Sequence, residues 1–298
     1  MSRTVEVFQV DAFTRRRFTG NPAGVVLDAD GLSDAEMLAI ARELNNADTA
    51  FVLKPTGEDH DIRVRFFTPR TEAAFVGHAT IAVHAVLARR APRTMRRQAG
   101  KTGIVEVSTL PGDAGFSIRQ AAPVPGREVT AEELAPALTA LGLDASQLDP
   151  HCPPRIAGSG STRLLLALRD GAMLEGLSPD LGALARLSPI VGAAGWFLFS
   201  RLATQPDCDV ESRMFCPALG IPEDPVSGNA HGLLGVHLLM QGLLAVRDGR
   251  ATFRGAQGHH MGRPGRVGIT LDVDAAGACT GAHIQGESAY VFGTTIEL

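Results

Sequence analysis

The sequence predicts an α+β fold of two similar lobes, each a strand layer wrapped round a buried central helix. Three observations point there. The 298 residues are more than one hydrophobic core usually serves, and they suit two. Strand-like and helix-like stretches alternate, with turn residues between them. Two helical stretches, about 76–90 and 228–239, are apolar on nearly every side, the pattern of a helix buried all round.

The elements follow in order. Residues 4–10 and 24–27 read as strands around a Gly20-Asn21-Pro22 turn. Ser33 and Glu36 form a capping box, in which a hydroxyl and a carboxylate satisfy free amides at a helix start. The helix carries Met37, Ile40, Ala41 and Leu44 on one face and ends at Asn45-Asn46. Strands at 49–53 and 62–67 precede the first apolar helix. The basic run Arg89, Arg90, Arg93, Arg96, Arg97 and Lys101 reads as a solvated loop, since no aromatic residues interleave it. Strands at 103–108 and 116–120 follow. The Pro/Gly-rich stretch 121–126 is the best boundary, giving one lobe of 1–121, completed by strands 282–298, and another of 122–281.

In the second lobe a capping box, Thr130 to Glu133, opens a helix that Pro136 is expected to interrupt. Strands at 163–168 and 195–201 flank a short helix with Pro179 at its start. A strand at 210–215 leads to the second apolar helix, and 251–298 reads as Gly-punctuated strands. The two apolar helices have similar approaches. Phe67-Thr68-Pro69, Glu72 and Gly77-His78-Ala79 lead into the first. Phe215-Cys216-Pro217, Glu223-Asp224 and Gly228-Asn229-Ala230 lead into the second, three residues longer. A duplicated half-domain is the simplest account.

Composition narrows the function. Hydrophobic residues make up 45% and charged residues 20%, as in an ordinary globular protein, and a formal charge of -4 offers no general attraction to nucleic acid or anionic membrane. Cys152, Cys208, Cys216 and Cys279 are widely spaced, which argues against a structural zinc site or a disulfide framework. No apolar run approaches the ~20 residues needed to cross a bilayer, and the first residues read as a strand rather than a signal peptide. The expected location is cytoplasmic.

Chemistry concentrates at the two helix starts. A helix amino terminus exposes amides and a partial positive charge, and a Gly there lets a ligand approach the backbone. Gly77 and Gly228 each read, taken singly, as a tight turn; their repetition points to a paired site for a small carboxylate. Asp224 precedes Pro225, which restricts its backbone, and it reads equally as a turn residue. Ser227 reads as a helix cap or a ligand contact, and Asn229 and His231 add hydrogen-bonding groups in the first turn. His78 follows Gly77 and reads as a core residue or, beside an anion site, a proton carrier. His84 and His237 are assigned to packing. Asp48 lies between a surface helix and an apolar strand and reads, taken alone, as a polar loop residue; burial beside that strand would raise a carboxylate toward the pKa an acid/base needs.

At these residues the chain resembles the PhzF-like family of phenazine biosynthesis, which shares the diaminopimelate epimerase fold. The matching segments are VFQVDAFT, GNPAGVVL, LNNADTAFVL, FFTPRTEAAFVGHATIAVHAVL, RMFCPALGIPEDPVSGNAHGLLGVHLL and GITLDV, in the family's order over most of the chain. The resemblance implies pseudo-symmetric lobes, a site in the cleft between them, frequent homodimers and no cofactor. It also implies isomerisation of trans-2,3-dihydro-3-hydroxyanthranilate or a related cyclic amino acid. The family's catalytic glutamate falls on Asp48, its glycine–histidine pair on Gly77 and His78, its substrate-binding aspartate on Asp224. A helix-start residue, commonly serine, falls on Asn229. Asp48 is one methylene shorter than glutamate, and a displacement of about 1 Å can cost ~100-fold in rate. Related epimerases carry two cysteines at the helix starts; here those positions hold His78 and Asn229. The alternatives are an amino-acid epimerase on the same fold and a non-catalytic small-ligand binding protein.

Overall fold

The computed structural model describes residues 3–113, 115–158 and 161–298. The chain forms two compact units: unit 1 is Met1–Gln120 with Ile284–Leu298, and unit 2 is Ala121–His283.

In unit 1, β1 (Thr4–Ala12) pairs antiparallel with both β2 (Asn21–Val26) and the terminal strand Ser288–Glu297. The turn before β2 depends on Gly20, at φ 65; a Cβ there would sit 2.2 Å from the Ala12 carbonyl oxygen. Helix α1 (Asp34–Leu44) then crosses to β3 (Asp48–Leu53), which runs parallel to β2. Next, β4 (Ile62–Phe67) pairs antiparallel with β3 and with the short β5 (Glu72–Ala73). Helix α2 (Gly77–Arg90) leads to β6 (Met95–Gly100), parallel to β4, and then to β7 (Gly103–Thr109) and β8 (Phe116–Ala121).

Strand alternation splits this sheet into two apolar faces. Val10, Ala23, Val25, Ala50, Val52, Val64 and Phe66 meet Ala79, Ala82, Val83 and Val86 of α2. Val7, Val26, Phe51, Leu53 and Phe67 meet Met37, Ile40 and Ala41 of α1. Hence α2 is apolar all round and α1 is amphipathic, and the capping box of α1 is formed as the sequence predicts.

Unit 2 repeats the plan. After β9 (Arg127–Glu128) and α3 (Ala131–Leu141), β10 (Arg155–Ala157) pairs antiparallel with β11 (Arg163–Leu168). Two helices follow, α4 (Ala172–Glu175) and α5 (Leu181–Val191). Then β12 (Gly195–Ser200) runs parallel to β11, and β13 (Val210–Cys216) runs antiparallel to β12. Next come the short β14 (Ile221–Asp224) and α6 (Gly228–Met240). Beyond β15 (Val246–Arg247), β16 (Arg250–Gln257) runs parallel to β13 and antiparallel to β17 (Gly265–Val273). Apart from the β15–β16 hairpin, each of these pairings matches one in unit 1 in order and direction.

Three expectations need correction. The basic run is not a loop: Arg89 and Arg90 end α2, while Arg96 and Arg97 belong to β6. Alternation turns Arg96 and Gln98 inward, where Arg96 donates to the Ala91 carbonyl and Gln98 donates to Thr80 Oγ1. Aromatic rings do serve this run, for the Arg89 guanidinium lies 4.3 Å over Tyr290. The helix at Pro136 is unbroken, since the carbonyl left without a donor, that of Glu132, is on an exposed residue. The helix expected at Pro179 starts at Leu181, because Asp180 caps it by accepting from Ala183 N at 2.9 Å. Among the described residues, no helix is long and apolar enough to cross a membrane.

Candidate active site

The candidate residues of unit 1 begin at the three-residue link from α1 to β3. Asn45 closes α1 in the left-handed conformation at φ 50, with its amide on the Ala41 carbonyl. Asn46 is locked by a reciprocal amide pair. Gln9 Nε2 donates to Asn46 Oδ1 at 3.0 Å, and Asn46 Nδ2 donates to Gln9 Oε1 at 2.8 Å. Asp48 follows as the first residue of β3, opposite Ala23 of β2. It is buried, at 8% exposure.

Facing Asp48 is the start of α2. Gly77 and His78 are its first two residues, and Val76 at the cap position supplies no side-chain acceptor. The tip therefore keeps the exposed-amide character of an uncapped helix end. His78 Nε2 lies 3.7 Å from Asp48 Oδ2, beyond hydrogen-bond range, and this buried nitrogen makes no hydrogen bond. Burial pushes the imidazole down to about 3, so it is neutral at pH 7.

In unit 2, Asp224 ends β14 and is half-buried. The link to α6 is clasped by Gln257, a buried residue of β16. Its Nε2 donates to the Asp224 carbonyl at 2.7 Å, and its Oε1 accepts from Ser227 N at 3.1 Å. Gly258 beside it has φ 85, and a Cβ there would come 2.7 Å from the Pro225 carbonyl oxygen. Ser227 is the cap of α6, accepting from Ala230 N at 3.3 Å. Gly228 and Asn229 open the helix, and Asn229 Oδ1 is buried with no hydrogen-bond partner. Such orphaned acceptors are rare in native proteins and call for a partner.

His231 does not join them. It is fully buried, with Nδ1 2.7 Å from the Ser227 carbonyl oxygen and its ring edge-on to Phe197 at 5.1 Å. One helical turn beyond the tip, its side chain points into the core. His84 is also a core group, with Nε2 3.1 Å from Gln98 Oε1. Cys216 is buried and its thiol is pushed up to about 12, which leaves no thiolate for nucleophilic work.

The groups that hold the α1–β3 link and the helix starts were not singled out in the sequence. Gln9 and Gln257 act through contacts 37 and 30 residues away, and nothing local marks them. Two arginines did leave a signal. Arg65-Phe66-Phe67-Thr68-Pro69 and Arg213-Met214-Phe215-Cys216-Pro217 share an Arg-x-Phe-x-Pro pattern ahead of both helix starts.

The chain matches the family described as phenazine biosynthesis-like protein over residues 10–294. It is 35% identical over 302 residues to an uncharacterized isomerase of Clostridium acetobutylicum, with 100% of both chains covered. It is 30% identical over 261 residues to the trans-2,3-dihydro-3-hydroxyanthranilate isomerase of Pseudomonas aeruginosa, with 87% of each covered. A solved phenazine biosynthesis protein of the PhzF family from Bacillus anthracis matches with a TM-score of 0.88 at 27% identity, covering 99% of this chain and 100% of that one. A match along the whole chain, in sequence and in fold, makes this protein a member of the phenazine biosynthesis-like PhzF family.

Proposed function

We propose that this chain is a cofactor-independent isomerase that moves a proton on a small cyclic carboxylate or amino acid, with Asp48 as general acid/base. The observation that carries this reading is the buried Asp48 carboxylate beside a neutral His78 whose Nε2 lacks a hydrogen-bond partner. Relatives named as isomerases support the reaction class.

In the proposed reaction the Asp48 carboxylate takes a proton from a carbon next to a double bond. The electron pair of the broken C–H bond spreads into the unsaturated system. Protonated Asp48 then returns a proton to the far end of that system, forming a new C–H bond and shifting the double bond. Neutral His78 donates a hydrogen bond where negative charge develops, or accepts one from a substrate hydroxyl or amine. Asp224 and Asn229 orient polar substituents, and amides at the helix starts near Gly77 and Gly228 receive the carboxylate.

The test substrate is trans-2,3-dihydro-3-hydroxyanthranilate, followed by NMR in deuterated water. The double bond should migrate, with deuterium entering the newly protonated carbon only as far as protonated Asp48 exchanges with solvent before returning its proton, and Asp48→Ala should abolish turnover with its melting temperature retained. Undiminished turnover by Asp48→Ala would remove the carboxylate from the mechanism. Exchange at the carboxylate-bearing carbon without double-bond migration would make the enzyme an epimerase instead.

A further inference from the structure

Each unit carries an arginine–glutamate clamp just ahead of its helix start, buried at Arg213 in unit 2 and partly exposed at Arg65 in unit 1, where Lys101 Nζ also reaches Glu72 Oε2 at 2.6 Å. In unit 1, Arg65 of β4 grips Glu72 of β5 with two parallel hydrogen bonds, Nε to Oε1 at 2.8 Å and Nη2 to Oε2 at 3.0 Å. Its guanidinium lies 5.1 Å over the ring of Phe67. In unit 2, Arg213 of β13 grips Glu223 of β14 in the same way, at 2.9 and 2.8 Å, and lies 5.0 Å over Phe215. Even the register repeats. The residue after each arginine opposes the residue after each glutamate, Phe66 against Ala73 and Met214 against Asp224. Glu72 precedes Gly77, and Glu223 precedes Gly228, by the same interval.

We propose that Arg65–Glu72 and Arg213–Glu223 are positioning residues for the reaction, each fixing the backbone that delivers its helix start and, in unit 2, the Asp224 carboxylate. This rests on the isomerase reading above. A buried ion pair is a poor source of stability, since a well-packed apolar pair of similar volume often does as well. What it adds is direction, because a forked guanidinium accepts a carboxylate in one plane and one register. The third donor of each arginine serves the same end. Arg213 Nη1 donates to the carbonyls of Leu174 and Leu177, both at 2.9 Å, and Arg65 Nη1 donates to Asp34 Oδ1 at 2.7 Å. Each clamp thus ties a two-strand edge to a neighbouring helix and leaves the glutamate one backbone path toward the tip.

The test compares Arg213→Lys, Glu223→Gln and the double variant Arg213→Met/Glu223→Leu in the full chain. The double variant removes both charges together and so guards against an unfolded single variant. Two readouts are taken: amide hydrogen exchange of peptides covering 221–231 and 246–273, and kcat and KM on trans-2,3-dihydro-3-hydroxyanthranilate. In the double variant, exchange at 221–231 should rise about tenfold with 246–273 unchanged. Its kcat should fall about tenfold or more while KM moves less than about threefold. Arg213→Lys, with charge but no fork, should lie between. Exchange unchanged at 221–231, or raised there with kcat intact, overturns the proposal. If the wild type is inert on this compound, the isomerase reading fails on that substrate, and exchange at 221–231 alone still decides whether the clamp holds the tip. Glu72→Gln should loosen 72–80 and leave 221–231 unchanged; the reverse result also overturns it.

Discussion

The second strand of the parallel pair begins with a carboxylate in unit 1 and with a glycine in unit 2. Thr49 opposes Phe67 in one sheet and Trp196 opposes Phe215 in the other, so Asp48 and Gly195 are equivalent positions. The helix starts diverge as well. Val76 leaves α2 without a side-chain cap, while Ser227 caps α6; His78 corresponds to Asn229, and Ala73 to Asp224. The clamps, strand order and buried helices are shared. The lesson is that the scaffold has been kept in both copies while the titratable chemistry has been divided between them. In the proposed reaction, a single acid/base must take and return the proton, which suits an isomerase better than an epimerase with a base in each half.

The strongest way to break this contrast is to neutralise the carboxylate that unit 2 lacks. Asp48→Asn is nearly isosteric and should lower turnover by roughly 10³-fold, within the range for removing a general acid/base, with thermal unfolding close to wild type. Activity within about tenfold of wild type would mean that the difference between Asp48 and Gly195 is not a catalytic one.

The converse change adds a side chain to the other copy. A Cβ at Gly195 would sit 2.8 Å from Cys216 Sγ and 2.8 Å from Arg163 Cδ, and all of β12 is buried. Gly195→Ala should therefore destabilise by about 2 kcal/mol through overpacking, measured by urea denaturation. Unchanged stability would show that unit 2 has room for a side chain there and that packing is not why it lacks a carboxylate.

How much of this contrast was legible in the sequence depends on the range of the interaction. The buried helices were visible because α2 and α6 lack a polar face, and α1 because its apolar residues recur on one side. Asp48, His78, Asp224 and Asn229 were singled out through motif resemblance, and the structure places His78 Nε2 3.7 Å from Asp48 Oδ2. His231 was misread because sequence proximity to a helix tip says nothing about which way the turn points. The β6 strand was missed because Arg96 and Gln98 are polar groups facing inward, against the usual alternation. Gln9, Gln257 and the clamps meet their partners across strands; the repeated approach showed Glu72 and Glu223, and the Arg-x-Phe-x-Pro repeat was the local trace of the arginines.

The unit 1 tip should also respond to acid through His78, whose place Asn229 takes in unit 2. An unfolded chain binds a proton at a histidine near pH 6.5, whereas burial holds folded His78 down to about 3 and His84 and His231 to about 4. Protons therefore favour the unfolded state. Stability is fully present above pH 6.5 and falls, as pH drops toward 4, by about 1.4 kcal/mol per pH unit for each such histidine. His78→Asn, which makes the unit 1 tip resemble that of unit 2, should remove one histidine's share of that slope. Denaturation midpoints at pH 7 and pH 5 measure it. A slope identical to wild type would mean that folded His78 takes up its proton as readily as the unfolded chain does.

The smallest effect expected sharpens the comparison from the other side. Asn229 Oδ1 is buried without a partner, and an unsatisfied buried acceptor costs about 1–3 kcal/mol. Asn229→Ala removes that acceptor and places a strong helix former in the first turn of α6. The variant should gain about 1 kcal/mol of stability while losing affinity for substrate, seen as a higher KM with kcat little changed. Both halves of the outcome are needed. A gain in stability without a change in KM would mean that the orphaned oxygen serves no ligand, and a loss of stability would mean that the amide has a partner within the fold. Only the combined result shows that the unit 2 tip sacrifices stability for recognition, as a binding site does and a merely structural helix start does not.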